Sequence, residues 1–443
     1  MITRYDAIYL AAAPVGLPYL AWRWARRGKY RRSAPGMLGR HLPRGEAARP
    51  FQAGSVWIHA VSVGEVAAAR AIEPGLRGLF PRWPFVVSTV TETGQEAARR
   101  SLPGVEAFTY FPADLSWNVA RYHRAFRPRV IFILESEIWP NFLLVSRRAG
   151  TPVFLVNGRL SDRSFPRYRR FRDWFRPAFE AFAGLCVQTE EDARGFRALG
   201  FPEEKVRVTG NVKFDLPTPT LTDEERRAAR RAFGINAADP VIVAGSTHPG
   251  EEETVLNAFQ RLREDHPQAR LILVPRHPER FEPVAELCRA WGFATEPASR
   301  LSSGSPVDRG PEIVVLDRMG ELARAYGLGD VAIVAGSFGN VGGHNLLEAA
   351  AHAIPVVYGP NMANQREMAA LFAAAAAGTQ VRAAELGATL LRLLNDPELR
   401  RAEGLKARRV VEINQGSAGR AIEAVRGWLR ASGALPAAEA GSA

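Results

Sequence analysis

Short runs of apolar residues recur along this 443-residue chain, each followed by a turn and a helical stretch. A strand that is apolar on both faces must be covered on both, so such runs predict parallel sheets with helices on either side. The pattern predicts an α/β protein with two Rossmann-like domains. The runs are 56–61, 84–90, 130–134, 153–156 and 184–188 in the first half, and 241–244, 271–274, 313–316, 331–335 and 355–358 in the second.

A proline-containing stretch separates the two halves. Residues 216–221 place Pro217 and Pro219 next to threonines, a composition typical of a linker. The small and polar residues from Ser432 onwards are typical of a mobile tail. We therefore predict a first domain over residues 50–215, a linker over 216–236, a second domain over 237–430 and a flexible tail over 431–443.

Composition restricts the class of protein and of partner. With 47% hydrophobic residues the chain can bury two ordinary cores, which excludes an intrinsically disordered protein. Cys186 and Cys288 lie far apart and the eight histidines show no HExxH spacing, so we predict neither a disulfide nor a metal site. The formal charge of +12 indicates nucleic acid, a phosphorylated ligand or an acidic membrane as partner, unless it reflects a general arginine bias of the genome.

The N-terminal segment combines an apolar stretch with a basic flank. Residues 7–22 are largely apolar but contain Pro14, Gly16 and Pro18, and at roughly 1.5 Å per residue they fall short of a bilayer core. No cleavage site typical of a signal peptide follows. We predict that residues 1–35 form a membrane anchor or interfacial helix with its basic flank on the cytoplasmic side; the alternative is a buried first helix of the N-terminal domain. The basic residues are Arg23, Arg26, Arg27, Lys29, Arg31 and Arg32.

A second basic segment, residues 159–176, interleaves arginines with aromatic residues. One interpretation is a face that binds membrane phosphates or an anionic acceptor. The other is a solvated helix surface whose aromatic side packs in the core. The arginines are Arg159, Arg163, Arg167, Arg169, Arg170, Arg172 and Arg176, and the aromatic residues are Phe165, Tyr168, Phe171, Trp174 and Phe175.

A glycine loop follows one apolar run of the second domain. The stretch Gly342-Gly343-His344-Asn345-Leu346-Leu347-Glu348 comes directly before an alanine-rich segment, which predicts a strand, a loop and a helix. Free backbone N–H groups and the positive end of the helix dipole would bind a phosphate there. Asn345 and Glu348 also have the spacing of a helix N-cap and its capping partner, so the segment alone supports both interpretations.

The other apolar runs of the second domain also end in polar or glycine-containing loops. In a parallel sheet these loops lie at the carboxyl edge, where ligands bind. Ser246 follows the first run, and Arg276 follows the second with a guanidinium suited to a phosphate. Backbone groups around Met319 and Gly320 could hold a flat base, and Glu348 could accept hydrogen bonds from ribose hydroxyls. Together these loops predict a nucleotide site.

Two carboxylates of the first domain are candidates for proton transfer. Glu65 stands at a predicted helix start after the first apolar run, and Glu137 comes just after the run 130–134. An acidic residue at a helix start can simply complement the dipole. The same dipole would help keep Glu65 ionised, which suits a general base.

Five motifs in register resemble those of the bacterial 3-deoxy-D-manno-octulosonic acid (Kdo) transferases, and the resemblance spans roughly residues 9–416. Several long motifs in order are far more specific than one glycine-rich loop. The motifs are residues 59–65 (HAVSVGE), 135–141 (ESEIWPN), 210–215 (GNVKFD), 275–280 (PRHPER) and 342–348 (GGHNLLE).

The resemblance implies an α/β enzyme of GT-B fold, with two facing Rossmann-like domains that have parallel sheets, preceded by an N-terminal membrane-anchoring helix. It implies an inverting, metal-independent glycosyltransferase without a cofactor. The reaction would move Kdo from CMP-Kdo onto the lipid A precursor lipid IVA in lipopolysaccharide core biosynthesis. The N-terminal domain would bind the acceptor and the C-terminal domain the donor, on the cytoplasmic side of the inner membrane.

The resemblance also implies residue roles. By motif position Glu65 matches the catalytic base, and Glu137, Ser246 and Lys213 occupy supporting positions. Glu92 departs from the family pattern, in which we expect a neutral residue, and this concerns only the acceptor side. The positions matched to CMP contacts are Pro275, Arg276, Met319, Gly320, Glu321, Asn345, Leu346, Leu347 and Glu348.

Two other functions fit parts of the pattern. Another GT-B nucleotide-sugar enzyme, either a UDP-sugar transferase or a 2-epimerase, would share the fold and the nucleotide site. A non-enzymatic basic protein bound to a membrane or to nucleic acid would explain the charge, but no nucleic-acid-binding motif supports it. We therefore expect no nucleic acid among the partners.

Overall fold

Two sheets of seven parallel strands organise the chain, each in its own structural unit. The computed structural model describes residues 2–14, 33–160, 164–301 and 310–434. The first unit comprises Met1–Leu216 together with Gln415–Ala443, and the second comprises Pro217–Asn414. The predicted α/β class with parallel sheets is confirmed.

The first sheet has the strand order β3-β2-β1-β4-β5-β6-β7. All five predicted apolar runs of this half form strands; β1 and β2 are buried along their whole length, and β4 is buried except at Arg129. The sequence analysis missed the edge strands β3 and β7 because each is short and partly exposed. The strands are β1 Ser55–His59, β2 Phe85–Thr89, β3 Ala107–Tyr110, β4 Pro128–Leu134, β5 Val153–Gly158, β6 Phe182–Val187 and β7 Val206–Val208.

Helices cover both faces of this sheet and bury two apolar clusters against it. Trp57, fully buried on β1, packs edge-on against Phe142 with ring centroids 5.2 Å apart. The helices are α1 (residues 4–14), α2 Ser33–Met37, α3 Val63–Leu79, α4 Glu92–Ser101, α5 Ser116–Phe126, α6 Pro140–Arg148, α7 Ser164–Arg170, α8 Arg172–Phe179 and α9 Glu190–Ala198.

The start of α1 is attached to the first unit by a buried polar network. Asp6 is fully buried and accepts hydrogen bonds from the backbone N–H of Ser116 at 2.8 Å and from Asn141 Nδ2 at 3.0 Å. Asp114 accepts from the backbone N–H of Phe142 at 2.7 Å and from the Tyr9 hydroxyl at 3.1 Å. These carboxylates satisfy free N–H groups at the starts of α5 and α6. The first turns of α1, up to Tyr9, are therefore attached to this unit.

The remainder of the predicted anchor, including its basic flank, falls on residues 15–32 and lies outside the described residues. Across the four ranges given above, no helix combines the length and the apolar character that a membrane crossing requires. On α1 the side chains of Ile8 and Leu10 are exposed.

The second basic segment, residues 159–176, has its residues 161–163, with Arg163, outside the described residues; the aromatic residues of its remainder differ in exposure. Tyr168 is buried and stacks edge-on against Phe175, as the core interpretation expects. Phe171 and Trp174 are exposed instead, and the Arg4 guanidinium lies 4.6 Å from the Trp174 ring centroid. The aromatic residues are thus divided between core and surface.

The second sheet has the strand order β10-β11-β9-β8-β12-β13-β14. The five predicted runs form its five inner strands, β8, β9, β11, β12 and β13. The edge strands β10 and β14 were missed because they are two or three residues long and contain polar residues. The strands are β8 Val241–Thr247, β9 Arg270–Pro275, β10 Thr295–Pro297, β11 Ile313–Val315, β12 Val331–Val334, β13 Val356–Tyr358 and β14 Thr379–Gln380.

The predicted linker, residues 216–236, contains a helix that belongs to the second unit. A capping box between Thr222 and Glu225 begins this helix, α10. From it the buried Arg230 donates to the Leu328 carbonyl and pairs with Asp330 at 2.9 Å. The helices of this unit are α10 Asp223–Ala232, α11 Glu251–Asp265, α12 Phe281–Ala290, α13 Ala298–Leu301, α14 Leu322–Tyr326, α15 Leu347–Ala350, α16 Arg366–Ala374, α17 Leu386–Asn395 and α18 Pro397–Asn414.

The last helix, α19 (Ser417–Ala431), packs in the first unit, whereas the sequence analysis placed residues up to 430 in the second domain. Its apolar residues Val425 and Leu429 are buried in the core that α3 also lines. The Asp215 carboxylate accepts hydrogen bonds from the backbone N–H groups of Gly416 and Ala418 and so caps α19. A helical pattern does not reveal which core a helix joins, which is why the boundary was misplaced. Of the predicted tail, residues 435–443 lie outside the described residues.

Candidate active site

Glu65 lies just beyond the carboxyl end of β1, in the first turn of α3. Ser62 precedes the helix in an extended conformation, and its side chain makes no capping hydrogen bond. The Glu65 side chain reaches back instead, and its Oε2 accepts a hydrogen bond from the Val61 backbone N–H at 2.7 Å. The residue is only 8% exposed. The backbone at the strand end therefore holds this carboxylate in a fixed position.

The surroundings of Glu65 favour its protonated form. Burial raises the pKa of Glu65 to about 8, and the charges of Glu135 and Glu137 act in the same direction, while the Val61 N–H and Lys213 oppose them. Burial, which the sequence does not reveal, is the largest influence on this pKa and favours the protonated form. A carboxyl group with a pKa near 8 can gain and lose a proton close to neutral pH, as general acid–base catalysis requires.

Glu135, which directly follows β4, is a second buried carboxylate and is bound to two cations. Its Oε1 accepts from Lys213 Nζ at 2.5 Å, and its Oε2 accepts from Arg159 Nε at 3.0 Å. Its backbone φ is +60°, in the left-handed region that residues other than glycine rarely adopt. Strained backbone of this kind is concentrated at functional sites.

Glu137 was predicted as a site residue, whereas Glu135 was not, and Arg159 was predicted only as part of the basic segment 159–176. Glu135 and Glu137 stand in one motif, and nothing in the motif shows which of them is buried. Burial raises the pKa of Glu137, the Trp139 side chain lowers it, and Glu135 raises it. Glu137 and Lys213 both act on the pKa of Glu65, so the three predicted residues of this unit share one electrostatic environment.

In the second unit the predicted site residues follow four neighbouring strands. β11, β9, β8 and β12 lie side by side, so the loops after them share one edge of the sheet. Pro275 ends β9, and Arg276 follows with an exposed side chain and a backbone N–H bonded to the Thr247 carbonyl at 3.0 Å. After β11, Met319 is 55% exposed and Gly320 has a φ of +86°, followed by Glu321. This edge of the sheet therefore carries the Arg276 guanidinium, the exposed Met319 side chain and the left-handed backbone of Gly320.

The glycine loop after β12 requires its glycines. Gly342 and Gly343 have φ values of +100° and +81°. A Cβ on Gly343 would lie 2.4 Å from Met362 Sδ, and one on Gly342 would lie 2.8 Å from Asn364 Nδ2. The helix after the loop, α15, is a single turn, so the predicted contribution of a helix dipole to phosphate binding is wrong: too few peptide dipoles are aligned.

The predicted cap at Asn345 is one residue early, because the N-cap position of α15 is Leu346, although the Asn345 side chain still accepts from the helix. Its Oδ1 accepts a hydrogen bond from the Leu347 backbone N–H at 3.0 Å, as a cap does, and its Nδ2 lies 3.4 Å from Glu348 Oε1. Leu346 is buried and occupies the N-cap position. Burial raises the pKa of Glu348, whereas Asn345 and Arg276 lower it. The loop after β9 thus acts electrostatically on the glycine loop, as expected for one site.

Comparison with known proteins identifies the family. Residues 23–216 match the family model described as 3-deoxy-D-manno-octulosonic-acid transferase (kdotransferase). The chain is 35% identical to the 3-deoxy-D-manno-octulosonic acid transferase of Bordetella pertussis, over 94% of this chain and 97% of that protein. It is 30% identical to the transferase of the same name from Haemophilus influenzae, over 96% and 98% of the two chains. The chain belongs to the 3-deoxy-D-manno-octulosonic acid transferase family. It is a Kdo transferase, and therefore a glycosyltransferase.

The fold of this Kdo transferase is GT-B-like. It resembles UDP-GlcNAc 2-epimerase from Neisseria meningitidis, with a TM-score of 0.56, covering 84% of this chain and all of that one. At 13% identity this likeness concerns the fold alone. It agrees with the two seven-stranded parallel sheets described above.

Two further groups without a predicted role lie at the carboxyl edge of the transferase's second sheet. Glu251, 2% exposed, accepts hydrogen bonds from the backbone N–H groups of Gly336 at 2.7 Å and Phe338 at 2.9 Å, which fixes the loop after β12. His248 Nε2 and His344 Nε2 lie 2.9 Å apart. The histidines lack the spacing of a familiar motif, because they stand 96 positions apart and meet only through the sheet.

Proposed function

We propose that this transferase moves Kdo from CMP-Kdo onto lipid IVA in lipopolysaccharide core biosynthesis, with Glu65 as general base and inversion at the anomeric carbon. The observation that carries the proposal is the buried Glu65 carboxylate, held by the Val61 N–H at 2.7 Å and with a pKa raised to about 8. A base with such a pKa takes the proton of a sugar hydroxyl effectively as that oxygen attacks. A single displacement of this kind inverts the anomeric carbon.

The leaving group explains why a single base is sufficient. When the bond between the anomeric carbon and the phosphate oxygen breaks, its electron pair stays on CMP, whose phosphate is a stable anion. No strong general acid is required. The exposed Arg276 guanidinium and the backbone N–H groups of the glycine loop are suited to stabilise the developing charge. The proposed CMP contacts are Pro275, Arg276, Met319, Gly320, Glu321, Asn345, Leu346, Leu347 and Glu348.

We propose that Lys213, Glu137 and Ser246 support the reaction. Lys213 lowers the pKa of Glu65 and so favours the ionised base, while Glu137 has the opposite effect. Ser246, 7% exposed and with a φ of +58°, turns the chain at the end of β8. We propose no cofactor and no protein-bound metal, because the exposed Arg276 guanidinium supplies positive charge at the proposed CMP site.

We further propose that the protein works at the cytoplasmic face of the inner membrane. The exposed Ile8 and Leu10 of α1, the exposed Phe171 and Trp174, and Arg4 beside Trp174 support this proposal. Apolar side chains with neighbouring arginines suit the interface of an anionic membrane. A net charge of +12 acts in the same direction.

A product analysis tests the proposed function. Purified enzyme with CMP-Kdo and lipid IVA should yield lipid whose mass rises by one Kdo unit per transfer, and CMP should raise the melting temperature more than UDP at equal concentration. Lipid of unchanged mass, together with stabilisation by UDP but not by CMP, would favour a UDP-sugar enzyme.

Replacing Arg276 should weaken nucleotide binding. We expect Arg276→Met to raise the dissociation constant for CMP by about 10- to 100-fold, because a charge-assisted hydrogen bond to phosphate is lost. The measurement is titration calorimetry at fixed ionic strength. Arg289→Met is the matched control, since Arg289 is exposed on α12 and faces Glu282 at 3.4 Å. An unchanged affinity in Arg276→Met would contradict the role of Arg276.

A further inference from the structure

Three imidazoles meet at the carboxyl edge of the second sheet. His248 follows β8, His277 follows β9, and His344 lies in the glycine loop after β12. The rings of His248 and His344 are nearly parallel, at 8°, and their facing Nε2 atoms are 2.9 Å apart. The His277 ring lies edge-on to His248, with centroids 5.4 Å apart.

The facing nitrogens share one hydrogen. At 2.9 Å, one Nε2 must carry a hydrogen and donate it, and the other Nε2 must accept it. In the neutral pair, the donating ring therefore has an unprotonated Nδ1. One additional proton can bind to that Nδ1 and leave the Nε2–H···Nε2 bond intact. A second additional proton would set two N–H groups against each other, so the pair can take up one proton and no more without breaking its contact.

Charged groups surround the pair from each neighbouring loop. Burial, together with Arg276, His248 and His277, lowers the pKa of His344 to about 4. The pKa of His248 is also lowered, first by burial and then by His277, Arg276 and Arg280; Glu251 opposes these effects. The Glu251 carboxylate is itself occupied by backbone N–H groups. Without an added anion the pair is therefore neutral at pH 7.

We propose that His248 and His344 act as one unit that takes up a single proton when a phosphate monoester dianion occupies this edge of the sheet. The inference rests on the proposed CMP site, since it assigns these histidines to the phosphate of that nucleotide. The phosphate of CMP-Kdo is a diester with one negative charge, and that of CMP is a monoester with two. The imidazolium charge matches the charge that appears on the phosphate when the bond breaks.

The protons balance in this scheme. The acceptor hydroxyl gives its proton to Glu65, and the electron pair of the broken bond stays on the phosphate oxygen. The proton that charges the imidazole pair comes from water and binds to the free Nδ1. The pair thus contributes to binding the product and makes that binding dependent on pH.

Titration calorimetry of CMP binding to the full-length protein tests the proposal. At pH 7.5 the CMP phosphate is almost entirely a dianion, since its second pKa is about 6, so any proton uptake belongs to the protein. In buffers of different ionisation enthalpy, the wild type should take up close to one proton per CMP. Its CMP affinity should fall up to about tenfold for each pH unit between pH 7 and 8.5. Cytidine, which has no phosphate, should cause no uptake.

Single substitutions test whether the proton taken up on CMP binding belongs to the His248–His344 pair. His344→Asn and, separately, His248→Asn should bind CMP with little proton uptake and a flat pH dependence. His266→Asn is the control, because His266 is bonded to Asn395 and precedes β9 rather than following it. Binding of CMP without proton uptake in the wild type, or unchanged uptake in both variants, would overturn the inference and leave the proposed function standing. No CMP binding by the wild type would overturn the proposed donor and the histidine role with it.

Discussion

Glu65→Gln should lower Kdo transfer by about 100- to 10,000-fold, because the glutamine amide cannot accept the proton of the attacking hydroxyl. The substitution preserves size and leaves an oxygen for the Val61 N–H, so CMP affinity should not change. In the wild type, kcat/KM should rise with pH and level off above about 8, since the base acts only when ionised and burial raises the pKa of Glu65 to about 8.

The same variant should be more stable than the wild type at high pH. The pKa of Glu65 is raised from 4.5 to about 8 in the folded protein, so the folded state binds more protons than the unfolded state between these values. The contribution of this group to the free energy of unfolding is greatest below pH 4.5. It decreases as pH rises from 4.5 through 8, because the folded state then loses its extra proton. Glutamine does not ionise, so Glu65→Gln avoids this decrease. We expect its free energy of unfolding to exceed that of the wild type by on the order of 3 kcal/mol at pH 8, and to differ little from it at pH 4.5.

The control for both effects is Glu96→Gln, since Glu96 is an exposed carboxylate on α4. It should change neither transfer nor the pH dependence of the melting temperature. Retained transfer in Glu65→Gln would exclude Glu65 as the base. A lower melting temperature than the wild type at pH 8 would show that the buried carboxyl is stabilising in its ionised form.

Glu135→Gln should destabilise the first unit by about 2–4 kcal/mol, because it leaves the facing cations without their buried partner. Glu135 is 4% exposed and pairs with Lys213 at 2.5 Å and with Arg159 at 3.0 Å. Arg159 is 54% exposed, so water compensates part of its loss. Most of the loss of stability should therefore come from the broken pair with Lys213, which is only 27% exposed.

A double-mutant cycle separates the ion pair from other effects of the substitution. Glu135→Gln combined with Lys213→Met should be less destabilising than the sum of the two single variants. The measurement is denaturant unfolding of all four proteins. Glu180→Gln is the surface control: Glu180 lies 2.9 Å from Arg176 but is 43% exposed, and its loss should cost less than about 1 kcal/mol. Additive effects at Glu135 and Lys213 would contradict a strong pairing.

The amino-acid sequence by itself determined the ten inner strands and the α/β class. Inner strands of a parallel sheet are covered on both faces, so they appear as continuous apolar runs such as Val130 to Leu134. It also determined that the polar residues after these runs, Glu65 and Arg276 among them, belong to the carboxyl edges of two sheets. The apolar runs and the residues that follow them are local features of the sequence. In a parallel sheet, the residues that follow the strands lie at one edge, so these local features predict where the site is.

Only the tertiary structure decided which residues share an environment. The helical pattern of α19 does not show that Val425 packs in the core of the first unit, and the motif at Glu135 does not show that this residue, rather than Glu137, meets Lys213. The ionisation of a carboxyl group depends on burial, which raises the pKa of Glu65 to about 8. His248 and His344 stand far apart along the chain, and only the pairing of β8 with β12 brings their loops together. Contacts and desolvation depend on the whole packed chain, so they cannot be deduced from spacing alone.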